Sequence, residues 1–339
     1  MNAQAMKARP LGHPIGYHAI HPDVSLNFQM NRWFSWVGDV GMLDDMRTVA
    51  PRITTYADWQ REFAALAQQA LANVRNPAQI LKAAYDLRAA EFFVQADDPQ
   101  RKPMREQFVQ LTRDHYGVKP NDQHRVPYSD ELVQGFLPVY RFTPTHPKGT
   151  VVFFGGINSY LEDLFLGFFW LRYAGYGRAI AYDIFFDAFD CSLRQVPTSI
   201  RLVLLALLRL KLDVLVNALT RRAVRRGLVI GWGLRHAMHM TGTTTPAACL
   251  HAIQHDTTAE ISSRVTQDVL LLAGSEDHLV PLAQFYRQIG ALTNTRLLTA
   301  RLFTRAESAQ NHCQAGNYGL ASQVIAAWLD AQAARDQQG

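Results

Sequence analysis

Two side chains have the types and positions needed for acid–base chemistry. Asp277 follows the apolar run 268–273 and Gly274, in the segment LLLAGSEDHLVP. His312 lies in AESAQNHCQAGN, after the next apolar run at 295–303. A carboxylate that accepts an imidazole N–H orients the ring as a general base. The sequence therefore predicts that Asp277 and His312 form an acid–base pair, although each residue alone would more often be a helix cap or a surface histidine.

A second candidate is the pair Gly155-Gly156, which follows the β-branched and aromatic run TVVFF at 150–154. Glycines after a strand let the backbone approach a ligand, and N–H groups there can point at an anionic oxygen. A double glycine in this position is common, so the signal is weak by itself. Ser159 could be offered as a nucleophile, but its S-x-x-E spacing to Glu162 favours a helix cap with a capping box.

Short apolar runs must position these groups. Strands are predicted at 150–154, 178–182, 268–273 and 295–303, and helices at 162–172, 281–292 and 319–333. Strands that alternate with helices are typical of a mostly parallel sheet with helices on both faces. Loops after neighbouring strands meet at one edge of such a sheet. The pattern at 125–142 predicts a β-hairpin before this region.

The N-terminal third has a different character. Apolar residues recur at helical spacing in 56–73, 80–95 and 101–116, and no strand-like alternation is present. The region from about 24 to 115 is therefore predicted to be a helical bundle or cap.

The motifs FFGGINSYLED, AGYG, WGLRHAMHMTGTTTP, LLLAGSEDHLVP and AESAQNHCQAGN together resemble the α/β-hydrolases with an N-terminal helical cap. This group includes FrsA-like esterases and 2,6-dihydroxypseudooxynicotine hydrolase, and the resemblance extends over most of the chain from about residue 56. It implies an α/β-hydrolase-like, mostly parallel sheet that is shortened, with a helical cap lobe at 1–120. The hydrolase-like domain would be 121–339, with a helical cap insertion at about 192–258.

The resemblance also implies an oxyanion loop. GGINSYLED matches the GG-x-D-S-x-x-E-E loop of the family, with Asn158 where the family usually has Asp. Backbone groups of Gly155, Gly156 and Ile157 would then hold the developing oxyanion.

Other family positions carry over onto single residues. Trp232, His236 and Met238 match a W-x-x-x-H-x-M segment of the cap, which implies that Trp232 and His236 bind substrate. The family's acid and histidine fall on Asp277 and His312, in the chain order that α/β-hydrolases use.

One departure concerns the nucleophile, which in the family is a serine in G-x-S-x-G on a tight strand-to-helix turn. No serine or cysteine of this chain lies in that frame. The AGYG segment at 174–177 leads directly into RAIAYDIFFDAFD at 178–190, which resembles the strand that follows the elbow. The resemblance therefore implies that at least two strand–helix units, on the order of 60 residues, are missing relative to the family, and the nucleophile is unknown.

The resemblance implies hydrolysis of an ester, amide or activated C–C bond in a small organic substrate. Without a nucleophile, two alternatives stand beside a working hydrolase: a remnant that binds a small molecule or protein, and an internally deleted gene product. No metal or organic cofactor is implied, because His251 and His255 lack a third ligand at a recognisable spacing. Caps of this type often accompany homodimers in the family.

Composition and charge limit the class of protein, its location and its partners. The 339 residues are 48% hydrophobic and 19% charged, which is typical of a globular protein. Cys191, Cys249 and Cys313 lie far apart, which suits a reducing, cytoplasmic location. A net charge of +5 and the basic cluster RRAVRR at 221–226 do not indicate nucleic-acid binding by themselves. The apolar stretch 200–219 is interrupted by charged residues and is predicted to be a helix outside a membrane.

Overall fold

The computed structural model describes residues 13–74, 76–129, 134–143, 146, 152, 156, 159–167, 169, 186–224 and 228–336. Val24–Tyr116 contains a first group of helices. They are α1 (Val24–Val37), α2 (Val40–Val49), α3 (Tyr56–Ala72), α4 (Pro77–Phe92) and α5 (Arg101–Tyr116). The helical prediction for this region is confirmed.

Local capping explains where several of these helices begin. The Asp23 carboxylate accepts from the N–H groups of Ser25 and Leu26 at the start of α1. Thr55 and Asp58 form a capping box at the start of α3. Each cap satisfies N–H groups that have no partner inside the helix, so these residue types fix the helix starts.

Large aromatic side chains form the core of this helical group. Fully buried rings come from α1, α3, α4 and α5: Trp33, Trp59, Phe63, Tyr85 and Phe108. The indole N–H of Trp59 donates to the carbonyl of Ala89 at 2.7 Å, so its polar atom is satisfied inside the core.

The predicted hairpin is also present. Strands β1 (Gln123–Ser129) and β2 (Gln134–Tyr140) pair antiparallel, with Gln123 opposite Tyr140. The predicted strand at 178–182 and four of the five residues of that at 150–154 lie outside the described residues.

A second group of helices lies between Ala188 and Ile253. They are α6 (Ala188–Leu193), α7 (Thr198–Arg209), α8 (Asp213–Val224), α9 (Leu228–Met240) and α10 (Pro246–Ile253). In the described part of the chain, no helix is long and apolar enough to cross a membrane.

The apolar stretch 200–219 is helical but is divided between α7 and α8. Helix α7 ends in a left-handed turn at Lys211, whose φ is 54°. The N–H of Lys211 donates to Leu208 and that of Leu212 to Leu207, at 3.0 and 2.9 Å. This is the Schellman pattern that ends many helices, here built on lysine instead of the usual glycine.

The C-terminal region contains two parallel strands. Strands β3 (Asp268–Gly274) and β4 (Leu297–Phe303) pair in parallel, with Gly274 opposite Phe303. They are followed by α11 (Leu282–Ala291) and α12 (Tyr318–Asp336), respectively. The predictions for these strands and helices are confirmed. In the described residues the sheet structure consists of these two strand pairs, so the larger parallel sheet remains a prediction.

Candidate active site

Asp277 and His312 lie together at the carboxyl ends of β3 and β4. The Nδ1 atom of His312 is 2.8 Å from Oδ2 of Asp277, although the residues are 35 positions apart. The parallel register puts the ends of both strands at the same edge, so the two following loops meet. The sequence-predicted pair is therefore present as a hydrogen-bonded pair.

Gly274 permits this approach. A Cβ atom at this position would lie 2.3 Å from the carbonyl oxygen of Gln310 and 2.6 Å from that of Asn311. The same Gln310 carbonyl accepts from the N–H of Glu276 at 2.8 Å. Because glycine has no side chain, the loop before His312 can pass directly over the end of β3.

The other oxygen of Asp277 is held by the backbone. Oδ1 accepts from the N–H groups of Leu279 and Val280, each at 2.8 Å. Burial raises the pKa of Asp277, but the hydrogen bond and charge of His312 and these two N–H groups outweigh it, and the net pKa is lowered. The carboxylate is thus ionised and fixed in orientation.

His312 is 9% exposed and packs against the aromatic ring of Phe28. The ring of Phe28 meets it edge-on with centroids 5.8 Å apart, and Phe28 also contacts His278 at 4.9 Å. Burial lowers the pKa of His312, but Cys313 and the Asp277 carboxylate raise it more, so the net pKa is well above its usual value. Near neutral pH this favours a protonated imidazole beside an ionised carboxylate.

Cys313 is a nucleophilic residue at this site that the sequence reasoning did not single out. It directly follows His312, and its proximity raises the pKa of the imidazole. The residue is exposed, and its φ of 52° puts it in the left-handed region that non-glycine residues rarely adopt. A histidine followed by a cysteine carries no sequence signal for this conformation, which explains the omission.

The predicted oxyanion loop is described only in part. Gly155 and Ile157 lie outside the described residues, as does Asn158. The carbonyl of Gly156 accepts from the N–H of Ser159 at 3.0 Å, which forms a tight turn. The role of the Gly155–Ile157 backbone therefore stays a prediction.

The predicted capping box of Ser159 and Glu162 is wrong. A short 3-10 turn begins at Glu162, with Leu161 before it in the cap position. The Glu162 carboxylate accepts instead from the hydroxyl of Tyr140 and lies 3.5 Å from Arg113. Long-range partners on β2 and α5 thus take the carboxylate away from the local cap.

A buried ion-pair cluster follows the turn, and the sequence reasoning missed it. Arg88 of α4 contacts Glu91 at 2.6 Å and Asp163 at 3.1 Å, and both carboxylates are fully buried. Arg101 joins through Glu91 at 2.7 Å, and the Tyr160 hydroxyl donates to the same carboxylate at 2.6 Å. These contacts attach the segment after the glycine pair to the helical lobe.

Trp232 and His236 lie on α9 with their rings stacked, at 4.9 Å between centroids and 6° between planes. Trp232 also stacks on Phe92 of α4 at 5.3 Å. Both line a cavity of about 340 Å³. Its walls include Arg88, Phe92, Arg101, Arg105, Ser159 and Tyr160. The predicted substrate-binding pair thus borders a cavity beside the glycine loop, whereas His312 contacts α1 and Asp277.

One of the two histidines considered for a metal, His251, has another partner. His251 Nε2 is 3.1 Å from Oδ1 of Asp213 on α8. In the part of the chain that the structure describes, no group of three or more His, Cys, Asp or Glu side chains could hold a metal ion.

Comparisons with known proteins bear on the fold. No protein-family model and no curated protein matches the chain. Wild-type AbyA5 matches with a TM-score of 0.55 and 13% identity, over 93% of this chain and 98% of AbyA5. A further AbyA5 structure matches with a TM-score of 0.51 and 14% identity, over 81% and 88%.

The crystal structure of the 2,6-dihydroxy-pseudo-oxynicotine hydrolase matches with a TM-score of 0.49 and 15% identity, over 88% of this chain and 94% of the hydrolase. The AbyA5 structures support an α/β-hydrolase-like fold for this chain. At such low identity they carry no information about its activity.

Proposed function

We propose that this protein hydrolyses an ester, amide or activated C–C bond of a small organic substrate, with His312 as general base and Asp277 as the residue that orients it. The observation that carries the proposal is the 2.8 Å contact between Nδ1 of His312 and Asp277 at the ends of two parallel strands. A carboxylate fixed by two backbone N–H groups holds the ring so that its other nitrogen can exchange protons with a reacting group.

The attacking group is either water or the Cys313 thiol. A water molecule would give its proton to His312 while its oxygen attacks the carbonyl. His312 would then pass that proton to the leaving group as the C–O, C–N or C–C bond breaks. If Cys313 attacks, its proton passes to His312 and then to the leaving alcohol or amine. The resulting thioester is cleaved by water, which restores the thiol. The second route is supported by the exposed position of Cys313 directly after His312 in the chain.

Ester hydrolysis tests the proposal. We expect turnover of 4-nitrophenyl acetate and 4-nitrophenyl butyrate by the wild-type protein, and its loss in His312→Ala. His251→Ala is the matched control, because His251 is paired with Asp213 on α8. Turnover that survives His312→Ala would refute the proposal. Absence of turnover over several esters would favour the alternative of a catalytically inactive binding protein.

Cys313→Ala separates the two routes. Loss of turnover, together with a burst of nitrophenol in the wild type, assigns the attack to the thiol. Turnover retained in Cys313→Ala assigns it to water.

A further inference from the structure

Arg32 is a mostly buried arginine in the middle of α1. Its guanidinium lies 4.5 Å from the ring centroids of both Trp33 and Trp36, and 5.6 Å from that of Phe92. Its recorded hydrogen bond, to the side-chain oxygen of Gln29, is long at 3.4 Å. In the described residues no carboxylate lies within 4.0 Å of it, so aromatic faces are the main compensation for its charge.

The charges around Arg32 do not balance. Arg88 and Arg101 are paired with Glu91 and Asp163, which uses both buried carboxylates of the cluster. Among the described residues of this cluster, Arg32 is then a third cation beside two carboxylates. A buried charge without a counter-ion is costly, and an anionic ligand would remove that cost.

Arg32 is on the face of α1 that meets the loop of His312. Phe28, one turn before it, contacts the His312 ring at 5.8 Å. Ser35, about one turn after it, accepts a hydrogen bond from the N–H of Gly316 at 3.3 Å. Residues three and four positions apart share a helix face, so Arg32 lies between two contacts with the 312–316 loop.

The electrostatic surroundings agree with this placement. Burial lowers the pKa of Arg32, Asp163 opposes that shift, and Arg88 adds to it. An arginine remains protonated at neutral pH even so, which keeps its planar set of N–H donors available to an anion.

We propose that Arg32 binds a carboxylate group of the substrate, so that the protein acts on small organic acids and places the reacting bond at His312. This assignment rests on the proposed hydrolase function. A guanidinium can bind a carboxylate through two parallel N–H···O bonds, which gives orientation as well as charge neutralisation. Arg32 is thus a specificity-determining residue one helical turn from the aromatic ring that contacts His312.

A binding experiment tests the anion site without relying on turnover. Trp33 and Trp36 flank Arg32, so their fluorescence should report a nitroaromatic ligand bound there. We expect 4-nitrobenzoate to bind about 10- to 100-fold more tightly than its neutral counterpart 4-nitrobenzamide. Arg32→Met should abolish this preference, and the exposed Arg61→Met should keep it. Equal binding of both ligands by the wild type would overturn the proposal.

Arg32→Lys is a second variant, for the case that Arg32→Met does not fold. This variant keeps the charge but loses the planar fork, so it should retain only part of the preference for 4-nitrobenzoate. Circular dichroism and thermal melting check that each variant is folded. If Arg32→Met is folded and still prefers 4-nitrobenzoate over 4-nitrobenzamide as strongly as the wild type, the proposal is overturned. If Arg32→Met does not fold, an undiminished preference for 4-nitrobenzoate in Arg32→Lys overturns it.

Ester substrates then separate the two proposals. The wild type should favour mono-4-nitrophenyl glutarate over 4-nitrophenyl butyrate in kcat/KM, and Arg32→Met should lower that ratio at least tenfold. A parallel fall for both esters would indicate a purely structural role for Arg32 and count against the carboxylate site. If neither ester is hydrolysed while 4-nitrobenzoate still binds through Arg32, the hydrolase function fails and the anion site stands.

Discussion

Asp277→Asn is the substitution whose outcome the structure defines most sharply. Oδ1 of Asp277 accepts from the N–H groups of Leu279 and Val280, and Oδ2 faces Nδ1 of His312. An asparagine at this position must keep its oxygen toward the two backbone donors, since the reverse orientation loses two hydrogen bonds of about 1 kcal/mol each. The amide NH₂ then faces the imidazole.

This orientation changes the tautomer of His312. An NH₂ group cannot accept the Nδ1–H of the ring, so the ring must turn its Nδ1 lone pair toward the amide and carry its proton on Nε2. The atom that should accept a proton from the attacking group is then already protonated. In catalytic triads this wrong tautomer lowers kcat by about 10⁴-fold, and we expect a loss of that order here.

The assay is 4-nitrophenyl ester hydrolysis, with Glu276→Gln as the matched control. Glu276 is the preceding residue, and its partner is the exposed Arg305, so its loss should change neither activity nor stability appreciably. Asp277→Asn should remain folded because both backbone hydrogen bonds to residue 277 survive. Wild-type kcat in Asp277→Asn would refute the role of this carboxylate.

Three further predictions concern His312, Gly274 and Asp163. The pKa of His312 is raised and the neutral ring is the base, so kcat/KM should increase with pH through a midpoint above about 6.5, which a pH–rate profile measures. The contribution of this ring to the stability of the fold should decline as pH rises through the same pKa, which melting curves at several pH values measure. Gly274→Ala should lower activity and melting temperature together, because its Cβ would overlap the Gln310 carbonyl. Asp163→Asn should cost about 3–5 kcal/mol in urea unfolding, because it leaves Arg88 with an incomplete set of buried partners; a loss below 1 kcal/mol would contradict that account.

The parts of the site that the sequence predicts depend on short-range patterns. The apolar runs of β3 and β4 end at loops that carry Asp277 and His312, and parallel pairing follows from the helix between the strands. The loops that follow two neighbouring parallel strands meet at the same edge of the sheet. The hydrogen bond between the two side chains was therefore accessible from the sequence.

The parts that the sequence does not predict depend on pairings far apart along the chain. Arg88 and Asp163 are 75 residues apart. Asp163 ends the GGINSYLED motif, but no feature of the sequence marks Arg88 as its partner. Lys211 takes a left-handed conformation at the end of α7. A glycine at this position would have predicted the helix end from the sequence, whereas a lysine does not. The conformation of Cys313 likewise depends on the loop being fixed at both ends by Asn311 and Gly316 rather than on its own residue type.

The buried ion pairs also constrain how a substrate can enter. Asp163 follows the glycine loop and is held by Arg88 of the helical lobe, while Glu162 is held by Arg113 and Tyr140. If the lobe swung away as a rigid lid, these buried charges would lose their partners at a cost of several kcal/mol each. We therefore expect the lobe to stay fixed against this segment, so that the cavity of about 340 Å³ lined by residues of α4, α5 and α9 keeps its shape.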